Sequence, residues 1–294
     1  MRTVTVVPVL AVLALAAGCG EQTGARVAAP DPTPRATPEV VATTTVLDAG
    51  SGPQLCLGGV QQSHPPQCGG PAVTGWDWDE VEHDAVGGVR WGSYDVRGTW
   101  DGERLTLTAP PSAPSAPEDF DSAAFFASPC PEPEGGWRPI DPSTTSEAAL
   151  QRALRRANRL ERVGEVWLDQ TPNPAFGRDD VEAHERLNDP TLLVLNVQVV
   201  GDAAERADAE RQLREVWGGA LCVSETQRTR RELRRIQNEV QKLVSTDDLL
   251  MASAGRDRVE ITVVYDDGSL QAELDETYGA GVVQVSSALR PAPE

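Results

Sequence analysis

Two stretches that resemble each other decide the fold: LREVWGGALCVSE at residues 213–225 and LDETYGAGVVQVSS at residues 274–287. In the first stretch a helical run ends at Trp217, in the second Tyr278 stands at the same point, and a glycine follows each ring. A bulky ring can pack the last helical turn onto a sheet, and a glycine in the left-handed conformation ends the helix. The sequence therefore predicts an internal repeat whose role is architectural.

Each stretch completes a strand, helix, strand unit. The apolar runs predict strands at 192–200 and 220–224 around the first helix, and at 259–265 and 282–289 around the second. Aligning the copies places Leu221 and Val223 on the inward face and leaves Cys222 facing outward. Further helices are predicted at 146–160 and 226–244, and GEVWLDQ at 164–170 is a predicted edge strand. We expect an α+β domain over residues 145–291, with two layers and a roughly ferredoxin-like construction whose strand order stays open.

A smaller β-rich domain is predicted before this one, over residues 50–126. Alternating apolar residues on both sides of Asp101-Gly102 predict a hairpin. Four tryptophans supply apolar area for a compact barrel or curled sheet, namely Trp76, Trp78, Trp91 and Trp100. The proline-rich residues 127–144 are predicted to be a linker between the two domains.

The amino terminus has the layout of an export signal. Residues 1–18 place one arginine before a short apolar run and small residues. The sequence LAAGC that ends at Cys19 resembles the lipobox of bacterial lipoproteins. The resemblance implies cleavage before Cys19, acylation of its thiol and anchoring to the outer face of the cell membrane. An ordinary signal peptide cleaved nearby is the alternative.

The following residues, 19–49, are rich in Pro, Thr and Ala. Such a composition buries little apolar surface and typically remains extended. We therefore expect a disordered tether between the lipid anchor and the folded part.

The composition is that of a folded but strongly acidic chain. Hydrophobic residues make up 39% of it, and 45 acidic residues outnumber 26 basic ones, which gives a net charge of −19. An acidic surface repels nucleic acid and anionic lipid that are recognised through bulk charge. We expect no nucleic-acid partner.

The cysteines fit an exported protein. Four remain besides Cys19, namely Cys56, Cys68, Cys130 and Cys222. An even number indicates disulfides, and three connectivities are open. The Gly- and Pro-rich loop between Cys56 and Cys68 favours their pairing, which leaves Cys130 to pair with Cys222. A zinc site is disfavoured because no CxxC or HxxxH spacing accompanies the thiols.

An acidic tryptophan segment, WDWDEVEHD, is a candidate binding surface through Trp76, Asp77, Trp78 and Asp79. Exposed tryptophans would form a platform for stacking carbohydrate, and the carboxylates would suit calcium. The segment lacks the glycine-bearing spacing of a calcium loop. Core tryptophans within a solvated acidic loop are therefore the favoured interpretation.

A basic helix face is the second candidate, formed by Arg228, Arg230, Arg231, Arg234 and Arg235. These arginines would suit phosphates of wall polymers or of lipid headgroups. Because Glu232 and Glu239 stand beside them, a salt-bridged surface is the favoured interpretation.

No catalytic motif is recognisable. GxSxG, P-loop, GxGxxG and HExxH patterns are all absent, and His64, His83 and His184 stand apart in the sequence. We predict no catalytic residue, no metal site and no cofactor.

Several segments together resemble a group of lipoproteins from high-GC Gram-positive bacteria: CLGG, PPQC, GWDW, WGGALCVSE and YGAGVVQVSSALRP, between Leu55 and Pro291. The resemblance implies the location and no activity. We expect a non-enzymatic lipoprotein that binds an envelope protein or wall component. The alternatives are a lipoprotein that binds a small ligand or metal ion, and an envelope hydrolase that uses carboxylates.

Overall fold

The computed structural model describes residues 37–116 and 119–293. The predicted signal peptide, Cys19 and the tether up to residue 36 lie outside the described residues. From Thr37 onward the chain forms one compact unit. Its class is mixed α+β, as predicted. Within the described ranges, no helix combines the length and the apolar character needed to cross a membrane.

Seven strands form the first sheet, and five of them close into a small barrel. They are β1 (Glu39–Asp48), β2 (Gln54–Leu55), β3 (Ala72–Thr74), β4 (Asp84–Val86), β5 (Val89–Trp100), β6 (Arg104–Leu107) and the last strand, β13 (Arg290–Pro291). The order runs β1, β2, β3, β6, β5 and returns to β1 through the β1–β5 pairing. Strand β4 extends the ring beside β5, and β13 pairs with β1. The prediction of a compact barrel or curled sheet is confirmed.

The first strand corrects the predicted extent of the tether. Residues 39–48 were expected to be extended and disordered, but β1 pairs with β5 along its whole length. Val40 and Val46 are fully buried in the barrel core. The physical reason is that EVVATTTVLD is rich in β-branched Val and Thr, which favour strands, although its Thr and Ala content resembles that of the preceding linker.

The end of the chain corrects the predicted division into two domains. Val264 and Leu289, which were assigned to the second domain, are buried in the barrel core, at 3% and 0% exposure. Strand β13 adds to the barrel by pairing Val40 with Pro291. The residues after 145 therefore contribute to the barrel, through Val264 and Leu289 in its core and through strand β13 beside β1.

The rest of the chain is a duplicated unit of helix, strand, strand, helix, strand. The first copy comprises α2 (Glu147–Ala157), β7 (Val163–Asp169), β8 (Val194–Val200), α4 (Ala203–Arg214) and β9 (Ala220–Thr226). The second copy comprises α5 (Arg230–Leu243), β10 (Leu249–Ala254), β11 (Val259–Val263), α6 (Ser269–Tyr278) and β12 (Val283–Ser287). Two short helices lie outside the repeat, α1 (Ser122–Phe126) and α3 (Val181–Arg186).

Both copies have the same strand order, which extends the predicted repeat. In each, the first strand is antiparallel to the second and the second is parallel to the third. Each first strand has a register shift near its start, at Val163–Val166 and at Leu249–Met251. Helix α5, predicted to join the copies, is thus the first element of the second copy. The six strands form two separate sheets, which differs from the single sheet of a ferredoxin-like domain.

The repeated rings pack as the sequence predicts, to different depths. Trp217 is fully buried, and its indole N–H donates to the Ala220 carbonyl at 3.0 Å. Tyr278 lies at the edge of the second core and is only partly buried. The first ring therefore contributes more to the stability of its copy than the second.

The two glycines after these rings serve different purposes. Gly279 ends helix α6 with a φ of +94° and a ψ of 145°, a positive-φ conformation that glycine adopts readily but that lies outside the left-handed helical region that was predicted. Gly218 does not have a positive φ, so that prediction is wrong for the first copy too. There, a Cβ would collide with the Asp141 carbonyl and the Thr144 hydroxyl oxygen. Gly218 is required because the segment from Asp141 to Thr144 passes too close to its backbone to leave room for a Cβ atom.

Both disulfides form as predicted. Cys56 pairs with Cys68 at a Cα–Cα distance of 5.5 Å, and Cys130 pairs with Cys222 at 5.8 Å. Cys222 faces away from the helices, but it is only 1% exposed because Cys130 and Trp137 cover it. The linker is thereby fixed to the face of the β7–β8–β9 sheet that the helices leave open.

A stacked arginine joins the two copies. Arg256, in the β10–β11 turn, lies 3.9 Å above the Trp167 ring of β7 and 4.8 Å from the Phe125 ring of α1. Burial lowers the pKa of the Arg256 guanidinium, which nearby carboxylates partly offset. This contact limits movement of the second copy against the first.

Candidate functional site

The acidic tryptophan segment belongs to the barrel core. Trp78 is 5% exposed and Trp76 is partly buried, and their rings meet edge to face with centroids 5.3 Å apart. The Asp77 side chain accepts a hydrogen bond from the Asp79 backbone N–H at 2.9 Å and begins a short 3₁₀ turn. The interpretation of the tryptophans as core residues is confirmed. The burial of Trp78 contradicts a stacking platform at this position.

The acidic side chains of this segment do not converge. His83 contacts the Trp78 ring and its Nδ1 lies 3.1 Å from the Val81 carbonyl oxygen. In the part of the chain that the structure describes, no three His, Cys, Asp or Glu side chains are grouped so that they would hold a metal ion.

The carboxylates with clearly shifted pKa values are all shifted downward within the described residues. Hydrogen bonds from Arg97 and Thr108 lower the pKa of Glu39 to about 2. Burial raises the pKa of Asp48, but hydrogen bonds from Gly50 and Arg90 outweigh burial and lower it. A general acid needs the opposite shift, since it must hold a proton near neutral pH. These carboxylates act as ionised structural acceptors.

The strongest candidate site is a groove between the two copies of the repeat. Helix α5 forms one wall, and the turn from α2 to β7 forms the other. Leu160 in that turn and Val163 at the start of β7 contribute apolar surface, and the groove has a volume of about 910 Å³. We call it the basic groove. Its charged lining residues are Arg159, Glu161, Arg230, Arg231, Arg234, Arg235, Glu239 and Lys242.

The basic groove reverses the charge balance of the chain. Six cationic side chains line it against two carboxylates, whereas in the whole chain 45 acidic residues outnumber 26 basic ones. Salt screens such charges beyond about 8 Å at physiological ionic strength, so the acidic surface elsewhere does not cancel this local excess. The groove is therefore a local positive region on an acidic protein.

Helix periodicity concentrates the cations on one face of α5. Leu233, Ile236 and Val240 are buried in the core of the second copy. The opposite face presents its polar residues at spacings of three and four, which lie above one another on a helix. Those residues are Arg231, Arg234, Asn238 and Lys242.

Two of the six cations are held by carboxylates. Arg235 pairs with Glu239 at 2.9 Å, and Arg230 pairs with Glu165 at 3.3 Å. Glu239 also accepts a hydrogen bond from the Tyr278 hydroxyl at 3.4 Å. The predicted salt-bridged surface is confirmed for these two arginines.

The other four cations have no ion pair among the described residues: Arg159, Arg231, Arg234 and Lys242. All four are exposed. Arg228, which was predicted to belong to the same face, lines a different pocket beside Arg256 and Arg258. The set of available cations therefore differs from the predicted set.

Arg230 fixes the shape of the groove. From the start of α5 it hydrogen-bonds Asn158 at the end of α2 and pairs with Glu165 on β7. Its side chain is 21% exposed, and its Nε is buried without a hydrogen-bond partner. Arg230 thus bridges the two walls, whereas Arg231 and Arg234 line the groove and are exposed.

Sequence reasoning identified one wall of this site. The arginines of α5 were recognised. Lys242 was not included, although its helical spacing from Arg231 and Arg234 places it on the same face. Arg159 was missed, because its place opposite α5 depends on how the first copy folds against the second. No pattern in the sequence predicts which residues of the first copy lie opposite α5.

No family model, no curated protein and no solved structure matches the chain.

Proposed function

We propose that the chain is a non-enzymatic binding lipoprotein on the outer face of the cell membrane, and that its basic groove binds anionic groups of an envelope component. Anchoring through Cys19 rests on the lipobox and the export signal. Binding rests on one observation, the four exposed and unpaired cations within the described part of an acidic chain. Of the partners expected from the sequence, an anionic wall component fits this surface.

Because these cations lack ion pairs, they support a role in binding a ligand and not a role in stabilising the fold. Even when they are paired with carboxylates, exposed cations stabilise a fold by only about 0 to 1 kcal/mol. Four cations placed together without such partners therefore give the fold no advantage. Arg231 and Arg234 are one helical turn apart, where like charges are mildly destabilising. An anionic ligand relieves this repulsion and forms charge-assisted hydrogen bonds with both guanidinium groups.

The test is a titration of the full-length protein with sodium polyphosphate, a soluble anionic probe. Arg231→Gln/Arg234→Gln removes two unpaired cations from the groove. The matched control, Arg152→Gln/Arg155→Gln, removes two exposed arginines of α2 that do not line it. Each lost charge-assisted contact is worth about 1.5 kcal/mol, so the groove variant, which loses two, is expected to bind about 100-fold more weakly.

The control is expected to bind within about two-fold of wild type, since long-range attraction alone changes little at physiological salt. Equal weakening in both variants would show that binding follows total charge and not the groove. No binding by the wild-type protein at low salt would overturn the proposal.

A further inference from the structure

We infer that the occupant of the basic groove is a single linear polyanion, a chain that carries an anionic group at each repeating unit. This inference rests on the proposed function of the groove. The two other anionic occupants to consider are one small anion, such as phosphate, and an anionic bilayer surface.

The distribution of the cations favours a chain over a small anion. Arg231, Arg234 and Lys242 follow one another along α5, and at 1.5 Å per residue the first and last lie about 16 Å apart along the axis. A phosphate ion reaches only one part of such a row. A linear polyanion places successive charges beside successive cations.

The concave shape favours a chain over a bilayer. The wall opposite α5 carries both the cation of Arg159 and the apolar surface of Leu160 and Val163. A flat bilayer contacts the rims of a groove and leaves its interior empty. It also brings the acidic remainder of the protein against anionic headgroups, which repel it. A narrow chain within the groove contacts both walls and avoids that repulsion.

Arginine suits the chemistry of such a chain. The guanidinium group is planar and presents parallel N–H donors that match a phosphate or carboxylate edge. Three of the four unpaired cations are arginines: Arg159, Arg231 and Arg234. The ligand class is therefore a linear chain of phosphate or carboxylate groups. Joining these groups makes each later contact intramolecular, which raises affinity about 100-fold or more over the separate groups.

Lys242 provides a direct reporter of occupancy. It is the only lysine of the chain, it is exposed, and it lines the groove. The rate of its acylation by a trace amine-reactive reagent, followed by peptide mass spectrometry, reports whether the groove is covered. The protein is used at full length and anchored in neutral phosphatidylcholine vesicles.

Three probes distinguish the three occupants: long-chain polyphosphate, orthophosphate and anionic vesicles. In the vesicles about one lipid in three is phosphatidylglycerol, which gives a surface potential of tens of millivolts, negative in sign. We expect polyphosphate to slow Lys242 acylation at a phosphate concentration at least about 100-fold below that required of orthophosphate. Anionic vesicles without polymer are expected to leave the rate unchanged. If polyglutamate protects Lys242 as well as polyphosphate does, the result supports the same inference, with carboxylate as the charged group.

Other results would overturn the inference. Equal protection by orthophosphate at equal phosphate concentration shows a site for one small anion, and protection by anionic vesicles alone shows a bilayer occupant. In both cases the proposed anion-binding function stands. If no probe protects Lys242, both proposals fail. Arg231→Gln/Arg234→Gln, which keeps Lys242, is expected to lose protection by polyphosphate while its acylation rate without polymer stays near that of wild type.

Discussion

Replacing Trp217 by alanine tests the architectural role of the repeat. The side chain is fully buried in the core of the first copy, and its indole donates to the Ala220 carbonyl at 3.0 Å. A tryptophan buries about 150 to 250 Å², which at about 25 cal/mol per Å² corresponds to roughly 4 to 6 kcal/mol. Buried aromatic residues replaced by alanine lose about 3 to 5 kcal/mol in practice. We expect Trp217→Ala to lower the free energy of unfolding by about 4 kcal/mol.

Tyr278→Ala is the matched control, because Tyr278 occupies the same place in the second copy but is partly exposed. Its hydroxyl makes one long hydrogen bond, 3.4 Å from a Glu239 carboxylate oxygen. We expect it to lower the free energy of unfolding by about half as much as Trp217→Ala, since area-dependent stabilisation scales with the surface buried.

The measurement is urea unfolding followed by far-ultraviolet circular dichroism, which does not depend on the lost fluorophore. An unchanged slope with a lower midpoint identifies a loss of stability. A loss below about 1 kcal/mol for Trp217→Ala, or equal losses for both variants, would refute the packing argument, because surface substitutions typically fall in that range.

Three more outcomes concern the cross-links, acid stability and the membrane anchor. By the loop-entropy estimate, Cys130→Ser/Cys222→Ser should lose about 4.5 kcal/mol and Cys56→Ser/Cys68→Ser about 3 kcal/mol, because the closed loops differ in length; urea midpoints in the reverse order would contradict this. The hydrogen bonds from Arg97 and Thr108 lower the pKa of Glu39 from 4.5 to about 2, so they stabilise the fold above pH 4.5 and this contribution is lost as the pH falls toward 2. Glu39→Gln should flatten that loss in unfolding experiments from pH 2 to 6, and an identical pH profile would exclude the contribution. Cys19→Ser should move the protein out of the membrane fraction, and unchanged detergent partitioning would exclude a lipid anchor at this residue.

Local patterns gave most of the repeat. The helices and strands around Trp217 and Tyr278 were predictable because each has its own periodicity and its own ending. Strand β1 was not predicted, because the Pro-, Thr- and Ala-rich residues before it obscure the boundary of a β-branched run. Strand β13 is only two residues long and exists through its pairing with β1. The predicted domain boundary was wrong for a related reason: residues near the end of the chain pack into the barrel core, and local patterns do not show such distant contacts.

The candidate site was half predictable. The polar face of α5 follows from helical spacing, so Arg231 and Arg234 were recognised. The opposite wall and the bridge from Arg230 to Glu165 join positions that are distant in the sequence. Only folding of one copy against the other brings them together. Only the structure therefore shows which arginines of α5 form salt bridges and which remain available to a ligand.

The salt dependence of polyphosphate binding tests the central claim most directly. For a single-stranded polyanion, the logarithm of affinity falls with the logarithm of salt concentration with a slope of about −0.7 for each anionic group neutralised. Contacts from Arg159, Arg231, Arg234 and Lys242 predict a slope of about −3 for the wild-type protein. Arg231→Gln/Arg234→Gln should reduce its magnitude by about 1.4, and Arg152→Gln/Arg155→Gln should leave it unchanged. Equal slopes for the wild type and the groove variant would contradict the claim that this groove binds the anionic chain.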